Sequence, residues 1–449
     1  MISRNFFFLS RLIFYTFFFI AYLLFMKNYS PLGVDWLDWH YQRLNNAVQF
    51  LKINGYLSNY GFSIWTSVEN CALDKQCWTN SIYLSHLSFS KIFYIFIYEF
   101  LNENSFQFYG QLIDKLFIFF TAILISEILV ENFKKNYTKI QCFFISIMSF
   151  ILFVANPWTY KMIVASWNVI FFLSFFLLGL FFILKKKKIG LIIILFSGFF
   201  EYQLSVLIAV YYIFLIVILF VNKNNSIIKL LPFEIKGNSF FLSYNSLLIV
   251  FLFFPLILHF FLKFYFLKNN IFIEPIGSSL LTRIGISGND IHNGGIIGSL
   301  QFLAGNRITI CFENDFQQLL NIFTNDKNLN FPIKIYNCLL SHFGIFLISI
   351  LSILVVLFQF SKETFLKSII YPIIFLILCN TFILQQSSSV HLMGYSYLFS
   401  LIFSLGVSIL FFNTWKKFRN NFLVVFLTPI FIGIILLCIR VSMLTGING

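Results

Sequence analysis

Residues 6–26 read FFFLSRLIFYTFFFIAYLLFM, an almost uninterrupted apolar run. A membrane span needs roughly 20 mainly apolar residues to cross about 30 Å of hydrocarbon. Arg4 precedes the run, Arg11 lies within it, and Met26-Lys27-Asn28-Tyr29 follows without the small-residue site at which a signal peptide is cleaved. The run therefore predicts a retained first span rather than a removed signal peptide.

The whole chain has the same apolar character. Of its 449 residues, 59% are hydrophobic and only 11% are charged, and the mean hydropathy is +0.85. A soluble core does not need that much apolar surface, so the composition predicts an all-α, polytopic membrane protein. The 66 phenylalanines are read as the product of an AT-rich genome and are given no function. We expect an integral, multi-pass protein of a bacterial inner (plasma) membrane.

About eleven spans are predicted from the apolar runs. They cover residues 6–26, 106–130, 140–156, 163–184, 189–200, 203–221, 241–267, 337–360, 367–384, 391–412 and 421–440. The run 189–200 is short, so 189–221 could instead form one long broken helix. Residues 81–101 are apolar only in part and are read as an amphipathic interfacial helix.

The basic residues indicate the orientation. With the N-terminus in the cytoplasm, every compact basic cluster falls in a cytoplasmic loop, as the positive-inside rule requires. These clusters are Lys134, Lys135 and Lys139; Lys185 to Lys188; Lys223, Lys229 and Lys236; Lys362 and Lys367; and Lys416, Lys417 and Arg419. The net charge of +14 is thus explained by membrane insertion, and no nucleic-acid partner is predicted. Two long outer loops, 27–105 and 268–336, complete a single domain over 1–449.

The first outer loop begins with two acids beside the first span. Residues 33–40 read Gly-Val-Asp-Trp-Leu-Asp-Trp-His, which brings Asp35, Asp38 and His40 close to the membrane surface. Carboxylates are costly inside hydrocarbon, so this cluster is either a solvated boundary or a site. Residues 38–54 have helical periodicity, and Gly55 is expected to end the helix. Its apolar face would carry Leu44, Ala47, Val48 and Leu51, with Arg43, Asn46 and Gln49 off that face.

Two cysteines of the same loop, Cys71 and Cys77, flank a short polar segment. Whether they form a disulfide is open, because a local pair requires an oxidising compartment. No His or Cys spacing in the chain fits a zinc site, so no metal site is assigned.

The second outer loop holds a glycine-rich stretch over residues 283–307. Backbone N–H groups of such a loop can approach an anion, and Arg283 and Arg307 have the planar fork that suits phosphate oxygens. His292 lies between them. The stretch matches no nucleotide motif, and a flexible loop with incidental arginines is the alternative.

Further polar residues fall at the short outer turns. His391 and Tyr395 would share one helix face at i and i+4, although a structural role at the interface is the alternative for that histidine. Glu201 lies between two spans and is read as a buried carboxylate lining a cavity, or else as a turn residue. Lys161 and Trp158 follow Pro157 in another outer turn.

These residues converge on one membrane face. A reaction between a lipid-linked phosphate and a second substrate needs a general base for the attacking hydroxyl and cations for the leaving phosphate. Asp35 or Asp38 is the natural base, and the substrate-binding set is His40, Glu201, Arg283, His292, Arg307, His391 and Tyr395. Whether a divalent cation takes part is left open, since two carboxylates alone rarely make a tight site.

The topology and the acids of residues 35–40 resemble the GT-C superfamily of membrane glycosyltransferases. The resemblance implies a polyprenyl-phosphate-linked sugar as donor, inverting transfer on the outer face, and a catalytic acid in the first outer loop, a position that Asp35 matches best and Asp38 second. The acceptor would be a glycan, a lipid or a protein, as in cell-surface polysaccharide assembly. Two alternatives remain: an O-antigen-type polymerase using Arg283 and Arg307, and a flippase or transporter. Charges inside the spans, counted as Glu201 and Asp114, are scarce for a transporter.

Overall fold

The computed structural model describes most of the chain. The described residues are 4–26, 34–57, 60, 62–64, 66, 68–77, 82–83, 89–100, 106–134, 137–164, 168–185, 187–222, 244–269, 342–359, 364–382, 392–418 and 421–447. This part of the chain is almost wholly α-helical, which confirms the predicted all-α class. Its strands are two residues long each, β1 (Ser63–Ile64) and β2 (Ile82–Tyr83), and they pair antiparallel within the first predicted outer loop.

The helices follow in chain order. They are α1 (Arg4–Met26), α2 (Val34–Asn54), α3 (Lys91–Phe100), α4 (Phe106–Phe133), α5 (Lys139–Val154), α6 (Pro157–Val164), α7 (Asn168–Leu184), α8 (Ile189–Gly198), α9 (Tyr202–Asn222), α10 (Tyr244–Asn269), α11 (His342–Gln359), α12 (Thr364–Phe382), α13 (Leu392–Phe418) and α14 (Asn421–Ile447).

Each predicted span overlaps a helix, although the helix for the run 189–200, α8, has only 10 residues. Residues 189–221 form two helices, α8 and α9, rather than one broken helix. The start of the predicted span 163–184 is wrong, since residues 157–164 form the separate short helix α6 and α7 begins at Asn168. Within the described part of the chain, two helical segments, Phe6–Met26 and Tyr244–Tyr265, are long and apolar enough by themselves to cross a membrane. The full count of eleven spans stays a prediction.

Contacts between helix ends define two ends of the bundle. At one, Lys185 at the end of α7 approaches Glu131 of α4 at 3.8 Å, and Lys134 pairs with the same carboxylate. Lys139 lies over the Phe7 ring, and Lys188 lies 4.9 Å from the centre of the Tyr244 ring. We call this the basic end, defined by Lys134, Lys139, Lys185 and Lys188. Basic residues from separate predicted cytoplasmic loops therefore meet on one side.

The opposite end, called the loop end, is defined by Met26, Asn156, Ser400 and Ser442. The hydroxyl of Tyr160 in α6 donates to the Met26 carbonyl at 3.1 Å, while Ser400 of α13 donates to the Asn156 side chain at 3.0 Å. Ser442 near the end of α14 donates to the Ala155 carbonyl. Helices α1 and α5 thus run from the basic end to the loop end, whereas α4 and α7 end at the basic end, so these four helices alternate in direction along the chain.

Phenylalanine rings fill the core toward the loop end. The rings of Phe117 and Phe171 lie 4.6 Å apart, and those of Phe175 and Phe200 lie 5.2 Å apart in a stacked pair. Phe93 of α3 stacks on Phe171 at 5.4 Å. Aromatic pairs at such distances add to the packing energy of the buried area. The phenylalanine excess therefore has a structural use here, whatever its genomic origin.

Polar residues are also buried among the long helices. Arg11 of α1 forms two hydrogen bonds to the Glu127 carboxylate of α4, at 2.8 and 2.7 Å. His259 and Lys263 of α10 are 2% and 3% exposed. The expectation that Glu201 and Asp114 are the main charges inside the spans is therefore wrong. Arg11, Glu127 and Lys263 also lie within predicted spans, and Arg11 and Lys263 are buried.

Candidate active site at the loop end

Helix α2 carries the acids that the sequence singles out. It begins at Val34, one turn before the predicted start at Asp38, and ends at Asn54. Gly55 ends it in the left-handed region, with φ 80°, which a glycine adopts without strain. Asp35, Asp38 and His40 therefore lie in the first two turns of the helix, and their side chains lie outside the described residues.

The buried face of α2 is wider than predicted. Leu44, Ala47, Val48 and Leu51 are 0–2% exposed, as the periodicity indicates. Asn46, expected off this face, is also buried, and its amide donates to the carbonyls of Thr66 at 3.1 Å and Val68 at 2.9 Å. The prediction for Asn46 fails because a buried amide is stable where it satisfies backbone oxygens, and a nearby loop supplies them. Helix α2 is thus held on one side by helices and on another by its own loop.

A disulfide closes this loop. Cys71 and Cys77 are bonded, with their Cα atoms 5.2 Å apart, which answers the question that the sequence left open. Cys71, Phe50 and Ile64 belong to a small hydrophobic cluster beneath the loop. Disulfides persist in oxidising compartments and are rare in the cytosol.

A polar cluster joins α2, α3 and α4 beneath the loop. Asp114 of α4 is 0% exposed, and its carboxyl oxygens accept one hydrogen bond from Tyr41 of α2 at 3.2 Å and one from Tyr94 of α3 at 2.6 Å. Lys91 at the start of α3 is 9% exposed. Burial lowers the pKa of Lys91 to about 8, although the nearby Asp114 carboxyl acts in the opposite direction.

The interfacial-helix prediction for residues 81–101 is corrected by this cluster. The helix begins only at Lys91, and residues 82–83 form strand β2. Lys91 and Tyr94 face α2 and α4, whereas Ile92 and Phe96 are 40% and 67% exposed. Lys91, which an amphipathic interfacial helix would turn toward water, is buried instead, in the electrostatic field of the Asp114 carboxyl group.

A second polar cluster lies where α8, α9 and α10 meet. Glu201 in the turn between α8 and α9 is 6% exposed, which confirms that it is buried. The next residue, Tyr202, stacks on the His259 imidazole with ring centres 4.5 Å apart. Phe62 of the first loop also contacts this imidazole, in an edge-to-face pair with ring centres 5.7 Å apart. Lys263 follows one turn later on α10, so a carboxyl group, an imidazole and a lysine side chain are each buried in this region.

The turn before α6 forms a third polar cluster. The Asn156 side chain accepts hydrogen bonds from the Trp158 backbone N–H and the Ser400 hydroxyl, both at 3.0 Å. This caps the N-terminus of α6, where Pro157 occupies the first helical position. Trp158 is fully buried and packs on Phe399. The sequence Asn-Pro is a helix-start signal, so α6 could have been predicted.

The remaining sequence candidates fall wholly or in their side chains outside the described part of the chain. Residues 270–341 lie outside the described residues, so the structure says nothing of Arg283, His292 and Arg307, and the same holds for His391. Tyr395 lies in the first turn of α13, and Lys161 lies in α6, but their side chains are outside the described part. Within the residues that are described, no group of three His, Cys, Asp or Glu side chains could hold a metal ion.

Sequence reasoning overlooked several residues that the structure brings together at the loop end. They are Tyr41, Lys91, Tyr94, Asn156, His259 and Lys263. An ionisable residue within an apolar helix is itself a signal, and Asp114, His259 and Lys263 all carry it. Comparison with protein-family models and with curated proteins finds no match to this chain.

Proposed function

We propose that this protein is a multi-pass membrane glycosyltransferase of about eleven spans. It would move a sugar from a polyprenyl-phosphate carrier to a glycan, lipid or protein acceptor on the outer membrane face. The resemblance of residues 35–40 and their setting to the GT-C superfamily is the source of this proposal. Asp35 would act as the general base, and Asp38 would bind the acceptor or support the base.

The observation that carries the proposal is the position of α2. This helix, which bears Asp35 and Asp38, packs on α3 and α4 at the end of the bundle away from Lys134, Lys139, Lys185 and Lys188. Positive residues mark the cytoplasmic side of a membrane protein, so α2 would face the outside. The Cys71–Cys77 disulfide in the same loop supports that assignment.

The loop end also offers groups for the donor. Transfer from a lipid phosphate leaves negative charge on the departing phosphate, which buried cations stabilise strongly in a water-poor site. The Lys263 side chain of α10 is buried at this end and would supply a cation when protonated, and α10 leads into the segment with Arg283 and Arg307. A base on α2 and cations from α10 onward would stand on one membrane face, as transfer requires.

One observation favours the transporter alternative. The buried carboxyl group, imidazole and lysine side chain of Glu201, His259 and Lys263 resemble the polar groups that line ion or substrate paths. A transporter would move a lipid-linked sugar without breaking its bond to phosphate. Release of the free carrier therefore distinguishes the two functions.

The deciding experiment uses the full chain in proteoliposomes with a radiolabelled hexose linked to polyprenyl phosphate. Membranes of the producing cell supply the acceptor. We expect transferred label and an equal amount of free polyprenyl phosphate with the wild type. Asp35→Asn should lower the rate by about 100-fold or more, because a general base contributes that much.

Asp74→Asn is the matched control, since Asp74 is an exposed acid of the same loop that accepts a hydrogen bond from the Gln76 backbone. Its transfer rate should stay within about twofold of wild type, because exposed surface groups contribute little. Full activity of Asp35→Asn would remove Asp35 as the base. Translocation of intact lipid-linked sugar without release of carrier would establish the transporter instead.

A further inference from the structure

The Asp114 carboxyl group joins three helices through separate atoms. Oδ2 accepts from the Tyr41 hydroxyl of α2, and Oδ1 accepts from the Tyr94 hydroxyl of α3. Asp114 itself belongs to α4 and is fully buried. Each of its oxygens therefore fixes a different helix of the first loop to the bundle.

The surroundings fit these two tyrosines closely. A Cβ at Gly110, one turn before Asp114, would lie 2.8 Å from Cε1 of Tyr41 and 3.8 Å from Cε1 of Tyr94. A side chain at position 110 would therefore force the Tyr41 ring to shift from its present place. Burying a carboxyl group is unfavourable unless its oxygens are hydrogen-bonded. Apolar side chains would hold α2 to α4 without the desolvation free energy of a buried carboxyl group. The polar contact is therefore suited to fixing a position rather than to adding stability.

Tyr41 is close to the proposed catalytic acids along α2. It follows Asp38 by three residues and Asp35 by six, which is about 4.5 and 9 Å along a helix axis. Over such a short rigid segment, a hydrogen bond at Tyr41 sets the height and rotation of the helix where the acids are attached.

We propose that Asp114 is a positioning residue that acts through Tyr41. It fixes the N-terminal half of α2 so that Asp35 and Asp38 stand at one place above the bundle, while Tyr94 ties α3 to the same carboxyl group. This inference rests on the proposed function for the role of Asp35. The attachment of α2 itself does not depend on that function.

The test compares Tyr41→Phe with Tyr94→Phe in the full chain in proteoliposomes. Each variant keeps the ring and removes one hydrogen bond to the same carboxyl group, so folding is preserved better than in Asp114→Ala. Hydrogen–deuterium exchange over residues 34–54 and 91–100 reports the attachment of α2 and α3. Transfer of hexose from polyprenyl phosphate gives kcat and KM.

We expect Tyr41→Phe to speed exchange in residues 34–45 and to lower kcat about tenfold with little change in KM, since small displacements of a catalytic group are costly. Tyr94→Phe should speed exchange in α3 and leave kcat within about twofold. Unchanged exchange in α2 of Tyr41→Phe would overturn the proposal. Faster exchange with unchanged kcat would also overturn it and leave the glycosyltransferase assignment intact. If the wild type transfers no sugar, the proposed function fails, and the exchange data alone decide whether Asp114 holds α2.

Discussion

The two ends of the helical bundle use polar residues differently. At the basic end, the lysines lie at the surface. Lys134 and Lys185 share the carboxylate of Glu131, while Lys139 and Lys188 lie over aromatic rings. At the loop end, Asp114, Asn156, Glu201 and His259 are all 6% exposed or less. Exposed lysines direct membrane insertion and need no fixed geometry. Burial costs these groups their hydration, and hydrogen bonds compensate that loss at the Asp114 carboxyl group and at the Asn156 side-chain oxygen. Clusters of buried ionisable groups are typical of functional sites.

Arg11 lies toward the basic end but behaves like a group of the loop end. Its side chain is 7% exposed and forms a bidentate ion pair with Glu127, whose side chain is 16% exposed. Arg11→Ala would leave that carboxylate buried without its cation. We expect a loss of about 3–5 kcal/mol in the free energy of unfolding, the largest of the stability effects predicted here. Reversible unfolding in mixed micelles measures it.

Lys134→Ala is the control for Arg11→Ala, because it removes a 38%-exposed partner of Glu131. An exposed pair contributes below about 1 kcal/mol. Equal losses in the two variants would show that burial does not separate the Arg11 pair from the surface lysines.

The disulfide gives a smaller effect that is confined to the loop end. Replacing both Cys71 and Cys77 by serine releases a closed loop with a sequence separation of 6. The chain-entropy model gives a loss of about 2 kcal/mol for a loop of this size. The loss should appear as faster hydrogen exchange in residues 62–77, with exchange in α4 and α5 unchanged.

Labelling tests whether this loop and the basic end lie on opposite sides of the membrane. After mild reduction of intact cells, a membrane-impermeant maleimide should label Cys77. In a Lys187→Cys variant, whose exposed position is at the basic end, the introduced thiol should react only after the cells are opened. Labelling of both thiols in intact cells would abolish the comparison between the ends.

The smallest change in the free energy of unfolding near neutral pH is expected from Lys91. Its pKa of about 8 in the folded protein lies below the usual lysine value of 10.5, because burial disfavours the ammonium. Between these two pH values the unfolded chain binds more protons, so this residue makes stability rise with pH. Below about pH 8 both states are protonated, and the slope from this residue vanishes. Unfolding of wild type and Lys91→Met, followed from pH 7 to 10.5, should show a steeper rise in the wild type.

Asp114 is the charged group that acts on Lys91, so Asp114→Asn serves as the control. Loss of its negative charge should lower the pKa of Lys91 further and widen the pH range of the rise. Parallel curves for wild type and Lys91→Met would mean that Lys91 is not buried as an ammonium.

Sequence patterns predicted the bounds and buried face of α2 better than the loop residues that it contacts. The periodicity of Leu44, Val48 and Leu51 identified the buried face, and Gly55 identified the end of the helix. The same pattern placed Asn46 on the wrong face, because the carbonyls it binds come from residues 20 and 22 positions later. The residues after Pro157 are predicted as a turn but form the short helix α6, which the pair Asn156-Pro157 signals as a helix start.

The sequence by itself determined the helical runs, their alternating direction and the side on which the lysines gather, because hydropathy and charge act on each segment locally. Only the tertiary structure decided which polar groups meet. Tyr41 reaches Asp114 across 73 residues, Ser400 reaches Asn156 across 244, and Ser442 reaches Ala155 across 287. A buried hydrogen bond requires two groups to arrive at one point from distant segments, and that meeting depends on how all the helices pack.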